Sequence, residues 1–376
     1  MNHTLLDAAR ATVPVLSANA ARTERELRPA PDSVTAVRDA GLFALTVPRA
    51  AGGPDVDLHT LVDVLAMLGR GCPSTAWVVG LSASAKAMIP PMLSSRAREA
   101  FLADPDAVVC ASGVPRGGSG QRVPGGLRLT GRWAMASGSE LASWAMVIVP
   151  VADGTSPAPL PTLVPVSELT IERTWKAAGL AGTSSHTLVA GDTFVPDDFV
   201  TPPDSPGARP TQAQVFAGGL VTLAPMIGAV RGAQDIVAAA ITGSRAPYAT
   251  TYARVADSPL GRFWFTEAAR RSAAALRRIL LVADTLDALS PGAAMPVTDR
   301  IDLRMELSAA ARECREAMDL LLDLHGASGF LLDNPLQRFW RDVAVGTRHP
   351  FFTPYILAED DGRVAFDITP NVSLTL

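Results

Sequence analysis

Residues 335–352 read PLQRFWRDVAVGTRHPFF, with three arginines (Arg338, Arg341, Arg348), one acid (Asp342), two aromatics (Phe339, Trp340) and a His-Pro pair. A solvated helix face accounts for the arginines. It does not account for the aromatics among them or for a histidine at the exit. Arg341, Val345 and His349 recur at four-residue intervals, which places them on one helical face. Pro350 predicts His349 as the last helical residue. A helix C-terminus favours the imidazolium, whereas burial favours the neutral ring. A histidine between those influences titrates near neutrality and suits acid–base work. A plain helix-capping histidine is the alternative.

Three turns also carry polar groups. CASGVPRGGSGQ (110–121) offers Ser112 and backbone N–H groups, although it lacks the strand–GxGxxG–helix and Walker contexts of a phosphate loop. It reads equally as a flexible hairpin. In GRWAMASGSELASW (131–144), Trp133 supplies a flat apolar wall and Ser137–Gly138 a hydroxyl in a turn, fit for a planar heterocycle; a core tryptophan is the alternative. In WKAAGLAGTSSHTLVAGDTFVP (175–196), Thr183, Ser184 and Ser185 follow a Gly-rich turn. Such hydroxyls serve the backbone or bind a ring edge or phosphate. His3 and His59 read as surface or loop residues, His186 as a strand start, and His325 beside Gly326 as a helix cap. No GxSxG elbow, CxxC or His/Cys cluster is present, so neither a serine triad nor a metal is expected.

The chain that positions these residues has 376 residues, 48% hydrophobic and 19% charged, which excludes disorder. A net charge of −4 argues against a nucleic-acid surface. Lysine occurs only at Lys86 and Lys176. Three scattered cysteines (Cys72, Cys110, Cys314) suit reduced thiols in a cytoplasm. The N-terminal stretch does not read as a signal peptide. Apolar runs such as VFAGGLVTLAPMIGAV contain Gly and Pro and read as too short to span a membrane.

Three regions are expected: a helical domain (1–107), a central antiparallel β domain (108–207) and a C-terminal four-helix bundle (208–376). The first shows three- and four-residue apolar spacing in SVTAVRDAGLFAL and LHTLVDVLAMLGRG. Acids before LHTL predict a helix cap. The second is a series of short apolar runs separated by Gly, Pro, Asp and Ser. The third carries two amphipathic segments of more than twenty residues.

In this order the pieces resemble the acyl-CoA dehydrogenase family, an α+β, mostly α fold. ASGVPRGGSG, GRWAMASG, GLAGTSSHTLVAGDTFVP and LHGASGFLLDNPLQRFWRDV each look like a family segment, and together they span nearly the whole chain. Acyl-CoA dehydrogenases commonly carry a catalytic glutamate about two helical turns after the Arg-Asp pair. Here that stretch reads VAVGTRHPFF, and His349 stands near the glutamate's place. This departure resembles the flavin-dependent monooxygenase branch.

The resemblance implies reduced FMN or FAD from a separate flavin reductase, a C4a-hydroperoxyflavin, and hydroxylation of an aromatic or polyketide-like molecule. Secondary metabolism such as antibiotic biosynthesis is the implied setting, and a homotetramer the implied assembly. It also implies that Ser137 and Gly138 touch the flavin with Trp133 and Ser112 nearby, and that Thr183 and Ser184 line its other edge. Arg245 would serve the flavin phosphate. Gly326, Gly329 and Arg341 would complete the cofactor set, and His349 would be catalytic. Many relatives also place a histidine in the third N-terminal helix. Lys86 is the ionisable residue in that region here, and is taken as a catalytic or substrate-binding group. The alternatives are an acyl-CoA dehydrogenase-type enzyme, an amino-sugar N-oxygenase and a redox-inactive descendant.

Overall fold

The computed structural model describes residues 3–113, 115–152, 157–202, 205, 210–243, 246–290, 293–369 and 371–373. Five helices come first: α1 (His3–Glu26), α2 (Pro31–Asp39), α3 (Leu58–Gly69), α4 (Pro73–Met88) and α5 (Ser95–Leu102). The acid before LHTL acts as expected, since Asp57 accepts a hydrogen bond from the Thr60 N–H at the start of α3. α4 opens on Pro73, where a missing N–H costs nothing, and ends before Pro90.

Seven strands follow: β1 (Val108–Ser112), β2 (Pro115–Val123), β3 (Gly126–Ala136), β4 (Ala142–Ala152), β5 (Pro157–Pro165), β6 (Thr170–Glu172) and β7 (His186–Pro196). The sheet order is β1-β4-β2-β3-β7-β6, and β5 also pairs with β4. Most pairs are antiparallel, but β1 runs parallel to β4. The stretch read as a Gly/Ser loop or hairpin is largely strand β2, whose Arg122 faces Leu127 and whose Gly120 faces Leu129 of β3. Backbone pairing thus takes N–H groups that the sequence reading offered to a ligand.

The remaining helices are α6 (Gln212–Thr242), α7 (Pro259–Asp287), α8 (Val297–His325), α9 (Pro335–Gly346) and α10 (Pro354–Ala365). A full capping box between Thr211 and Gln214 opens α6. The expectation of a short, interrupted apolar run fails here, because α6 is 31 residues long and continues through Pro225. In its most apolar window 72% is buried inside the fold, so the helix satisfies its side chains by packing on α3, α4 and α8. α7 and α8 are tied by Arg278 to Glu306 at 2.6 Å and Glu313 at 3.2 Å. One apolar core joins the N-terminal helices to the bundle, and another fills the β region.

α9 ends at Gly346, three residues earlier than the sequence reading placed it. The physical reason is Pro350, which pushes the residue before it out of the helical region. His349 sits at φ −53°, ψ 139°, and caps the following 3-10 turn (Pro350–Phe352) instead. It therefore does not share a helical face with Arg341 and Val345.

Candidate active site

β3 ends in an irregularity that builds the first part of the site. Met135 adopts φ 62° and the β3–β7 register shifts between Trp133 and Ala136. A bulge of this kind re-aims the strand end. Ser137 then turns towards α4 and Gly138 takes φ 82°. A side chain at Gly138 would be strained there and would meet Val78 Cγ1 at 3.0 Å. The Gly138 N–H donates to Thr183 O at 2.7 Å and the Ser139 hydroxyl to Ser184 O at 2.7 Å. These bonds dock the β3–β4 turn against the segment that leads into β7.

Hydroxyls form a continuous chain across that junction. Thr183 Oγ1 donates to Leu180 O at 2.8 Å and lies 2.7 Å from Ser185 Oγ. Ser185 Oγ lies 2.7 Å from Ser137 Oγ, which accepts from Trp77 Nε1 at 3.3 Å. Trp77, on α4, meets His349 edge to face with ring centroids 6.0 Å apart. Phe352 lies against the other neighbourhood of the same imidazole, at 6.1 Å. The structure thus gathers Ser137, Gly138, Thr183, Ser184 and His349 around Trp77 and Ser185.

His349 keeps an exposed side, yet the surrounding protein desolvates it enough to hold its pKa below 6.5. The Phe351 N–H points at Nδ1 from 3.4 Å, an arrangement that also suits the neutral ring. Desolvation by the packed neighbours acts on the ring without the helix-end effect anticipated from the sequence, because His349 has left the helix. Ser184 takes the left-handed φ of 44°, and its buried Oγ has no hydrogen-bond partner. That orphaned hydroxyl, beside the Thr183–Ser185–Ser137 row, is an unmet polar group of the kind the edge of a planar heterocycle would satisfy. His186, wholly buried behind the chain, accepts from Trp175 N–H through Nδ1 and has its pKa lowered by burial.

Two family models match this chain: "Acyl-CoA dehydrogenase, N-terminal domain" over residues 3–104 and "Acyl-CoA dehydrogenase, C-terminal domain" over residues 220–354. Over 355 residues the chain is 34% identical to the FADH(2)-dependent resorcinol hydroxylase, oxygenase component, of Rhizobium sp., covering 88% of this chain and 86% of the relative. The chain belongs to the flavin-dependent monooxygenases of the acyl-CoA dehydrogenase fold. XiaF from Streptomyces sp., solved with FADH2 and glycerol, superposes with a TM-score of 0.89 at 29% identity, covering 98% of this chain and 96% of its own. The 3-HSA hydroxylase of Rhodococcus sp. RHA1 superposes with a TM-score of 0.86 at 28% identity over 100% of both chains.

Several residues assigned to the site by sequence serve this monooxygenase elsewhere. Trp133 is fully buried between β strands, shares the inward face with Leu127 and Leu129, and donates from Nε1 to Ile148 O at 2.9 Å. It is a core residue. Ser112 spends its hydroxyl on Ala134 O at 2.6 Å. Lys86 lies nine residues beyond Trp77, roughly 13 Å along the helix at 1.5 Å per residue. Its ammonium is buried and donates to Phe43 O at 2.9 Å and Pro105 O at 2.6 Å, while burial lowers its pKa to about 8. Lys86 staples two turns together, and its ammonium is spent on protein carbonyls.

Arg341 pairs with Glu24, Gln337 and the Ala178 carbonyl. Its partners are thus protein groups, and they tie α9 to α1 and to the 178–180 turn. Gly326 lines a separate cleft of about 440 Å³, together with Tyr248, Trp264 and His325. Gly329 is a close-packing residue, since a Cβ there would come within 3.1 Å of His325 Nδ1. Arg245 lies outside the described residues.

Sequence reasoning missed Trp77; it named Ser185 and Asp342 without giving Ser185 its place between Thr183 and Ser137 or Asp342 its bond to Leu180. Trp77 looked like one more apolar residue of α4.

Proposed function

We propose that this protein is the oxygenase component of a two-component system that hydroxylates a phenol-like or polyketide-like aromatic molecule in secondary metabolism. Reduced FMN or FAD would come from a separate flavin reductase. The observation that carries the reading is the pairing of His349 and Ser137 across Trp77, in a chain whose 343–352 segment contains no carboxylate. The dehydrogenases this chain resembles use a carboxylate at that point to remove a proton, and here His349 stands in its place. The 34% identity to a resorcinol hydroxylase component supports an aromatic substrate.

When bound, reduced flavin supplies the electrons that split O₂, one oxygen atom entering the substrate and the other leaving as water. The protein's part is placement. Ser137 and Gly138 would hold the ring on the β side, and Thr183 and Ser184 its other edge. Ser185 fixes the orientation of the Ser137 hydroxyl. Neutral His349 would take the proton of a substrate hydroxyl at Nε2 in the tautomer that carries its own proton on Nδ1 and gives up the 3.4 Å Phe351 N–H contact, and Trp77 with Phe352 would keep water from that face. The cleft at Gly326 would take the more distant part of the cofactor. The division at residues 107 and 207 would separate three domains. Exposed Leu331, Leu332, Leu260 and Phe263 near the end of the bundle support a homotetramer.

The test is a turnover assay with reduced FMN or FAD, O₂ and a panel of phenols. Hydroxylated product with either flavin is the expected result. Reduction of bound oxidised flavin by an acyl thioester would overturn the reading in favour of a dehydrogenase.

A further inference from the structure

Neither the sequence motif nor the proposed chemistry explains why a carboxylate, Asp342, lies almost wholly buried in α9. The carboxylate accepts the Leu180 backbone N–H at 2.5 Å. Leu180 is a non-glycine residue in the left-handed region, at φ 52°, ψ 30°. Its carbonyl in turn receives Thr183 Oγ1 at 2.8 Å and Trp175 Nε1 at 2.9 Å. The Thr183 hydroxyl begins the chain that runs through Ser185 to Ser137 and Trp77.

Backbones meet at the same spot. A Cβ at Gly179 would stand 2.0 Å from Arg341 O, and Arg341 donates to the Ala178 carbonyl. The 178–180 turn is therefore seated on residues 341 and 342 from two sides. Seven residues further along the chain from Asp342 comes His349. Both polar halves of the site are thus referred to the stretch from Arg341 to His349, at the end of α9 and just beyond it.

We propose that Asp342 is a positioning residue: its bond to the Leu180 N–H holds the Thr183–Ser185–Ser137 hydroxyl chain in register with His349. This rests on the site assignment made above for a flavin-dependent hydroxylase. Burial without a close ion pair is costly for a carboxylate. Arg338 and Arg341 favour its charge at longer range, against Glu24, and burial still raises its pKa to about 7. A neutral acceptor of the same shape preserves the bond, so Asp342→Asn and Asp342→Ala separate the hydrogen bond from the fold.

The experiment is hydrogen–deuterium exchange on the flavin-free full chain, read over residues 178–186 and 346–352, combined with anaerobic titration of each variant with reduced FMN and FAD. Leaving the buried Leu180 N–H without its acceptor is worth a factor of roughly 10–100 in local opening. Asp342→Ala is expected to speed exchange by that factor over 178–186 and to weaken flavin binding about tenfold, with Asp342→Asn restoring most of both. Unchanged exchange over 178–186 in Asp342→Ala would overturn the proposal. Faster exchange with unchanged flavin affinity would overturn it too, leaving Asp342 merely structural, as would an Asn variant that behaves like Ala. Should wild type bind reduced flavin yet make no hydroxylated product, the functional reading fails, whereas the exchange and titration results still judge Asp342.

Discussion

Removing the Ser137 hydroxyl probes the centre of the site, because Oγ lies between two partners. Ser137→Ala leaves the buried Trp77 Nε1–H without its acceptor at 3.3 Å, whereas Ser185 keeps Thr183. One unsatisfied buried donor costs about 1–3 kcal/mol. At roughly 2 cal/mol/K per residue, a chain of this size has an unfolding entropy near 0.8 kcal/mol/K, so Tm should fall by about 1–4 °C. The flavin loses a neutral hydrogen bond of about 0.5–1.5 kcal/mol, which predicts a Kd for reduced flavin about 2–12-fold weaker. The assays are thermal unfolding of the flavin-free protein and anaerobic flavin titration. Ser119→Ala, on the exposed side of β2, is the control and should change neither. A Ser137→Ala protein with wild-type flavin affinity would refute the placement of the cofactor, and an unchanged Tm would refute the Trp77–Ser137 bond.

Other substitutions report on the remaining groups. His349→Ala should leave Tm and flavin affinity nearly unchanged and cut product formation about 10²-fold or more, measured as hydroxylated product per flavin oxidised. With the His349 pKa held below 6.5, product formation in wild type should rise with pH through that lowered value and level off above it. A profile that continued to rise above pH 7 would assign the ionisation to another group. Lys86→Met should lower stability by about 1–3 kcal/mol, because the Phe43 and Pro105 carbonyls lose their donor, while kcat stays within about twofold.

Asp342 carries a stability signature in pH. Its folded pKa of about 7 lies above the ordinary value of 3.8, so the native state holds the proton more tightly than the unfolded chain. The resulting stability is present below about pH 4 and is lost as pH rises through about 7, on the order of 4 kcal/mol in all. Arg338, Arg341 and Glu24 face the same carboxylate, and Cys72 senses its charge. Denaturation of wild type and Asp342→Asn at pH 5 and 8 should show the wild type losing stability relative to the variant at the higher pH. Parallel curves would contradict this.

The helices and most strands were legible because their patterns are periodic and their boundaries are chemical. Asp57 caps α3 as its position before LHTL requires, and Pro90 stops α4. The errors lie where tertiary context decides. Trp133 continues the inward alternation of Leu127 and Leu129, so period-two counting along β3 would have placed it in the core. The Met135 bulge that re-aims Ser137 has no local signal, since a non-glycine residue at φ 62° depends on its surroundings. His349 was located by family resemblance and its proline, but its departure from the helix required reading the effect of Pro350 on φ and ψ to the end. Trp77 and Asp342 act across 60 and 162 residues of sequence, on Ser137 and Leu180 respectively, a distance that no local pattern spans.

The central claim is that this chain uses reduced flavin and O₂ to hydroxylate an aromatic ring, with His349 as the proton acceptor. The most direct measurement is a single turnover of wild type and His349→Ala with anaerobically reduced FMN or FAD, ¹⁸O₂ and a phenol panel. Mass analysis of the products provides the readout. The account predicts one ¹⁸O atom in a wild-type phenolic product and a yield at least about 10²-fold lower in the variant. Flavin oxidation that yields only hydrogen peroxide across the panel, or labelled product at the same yield in both proteins, would contradict it.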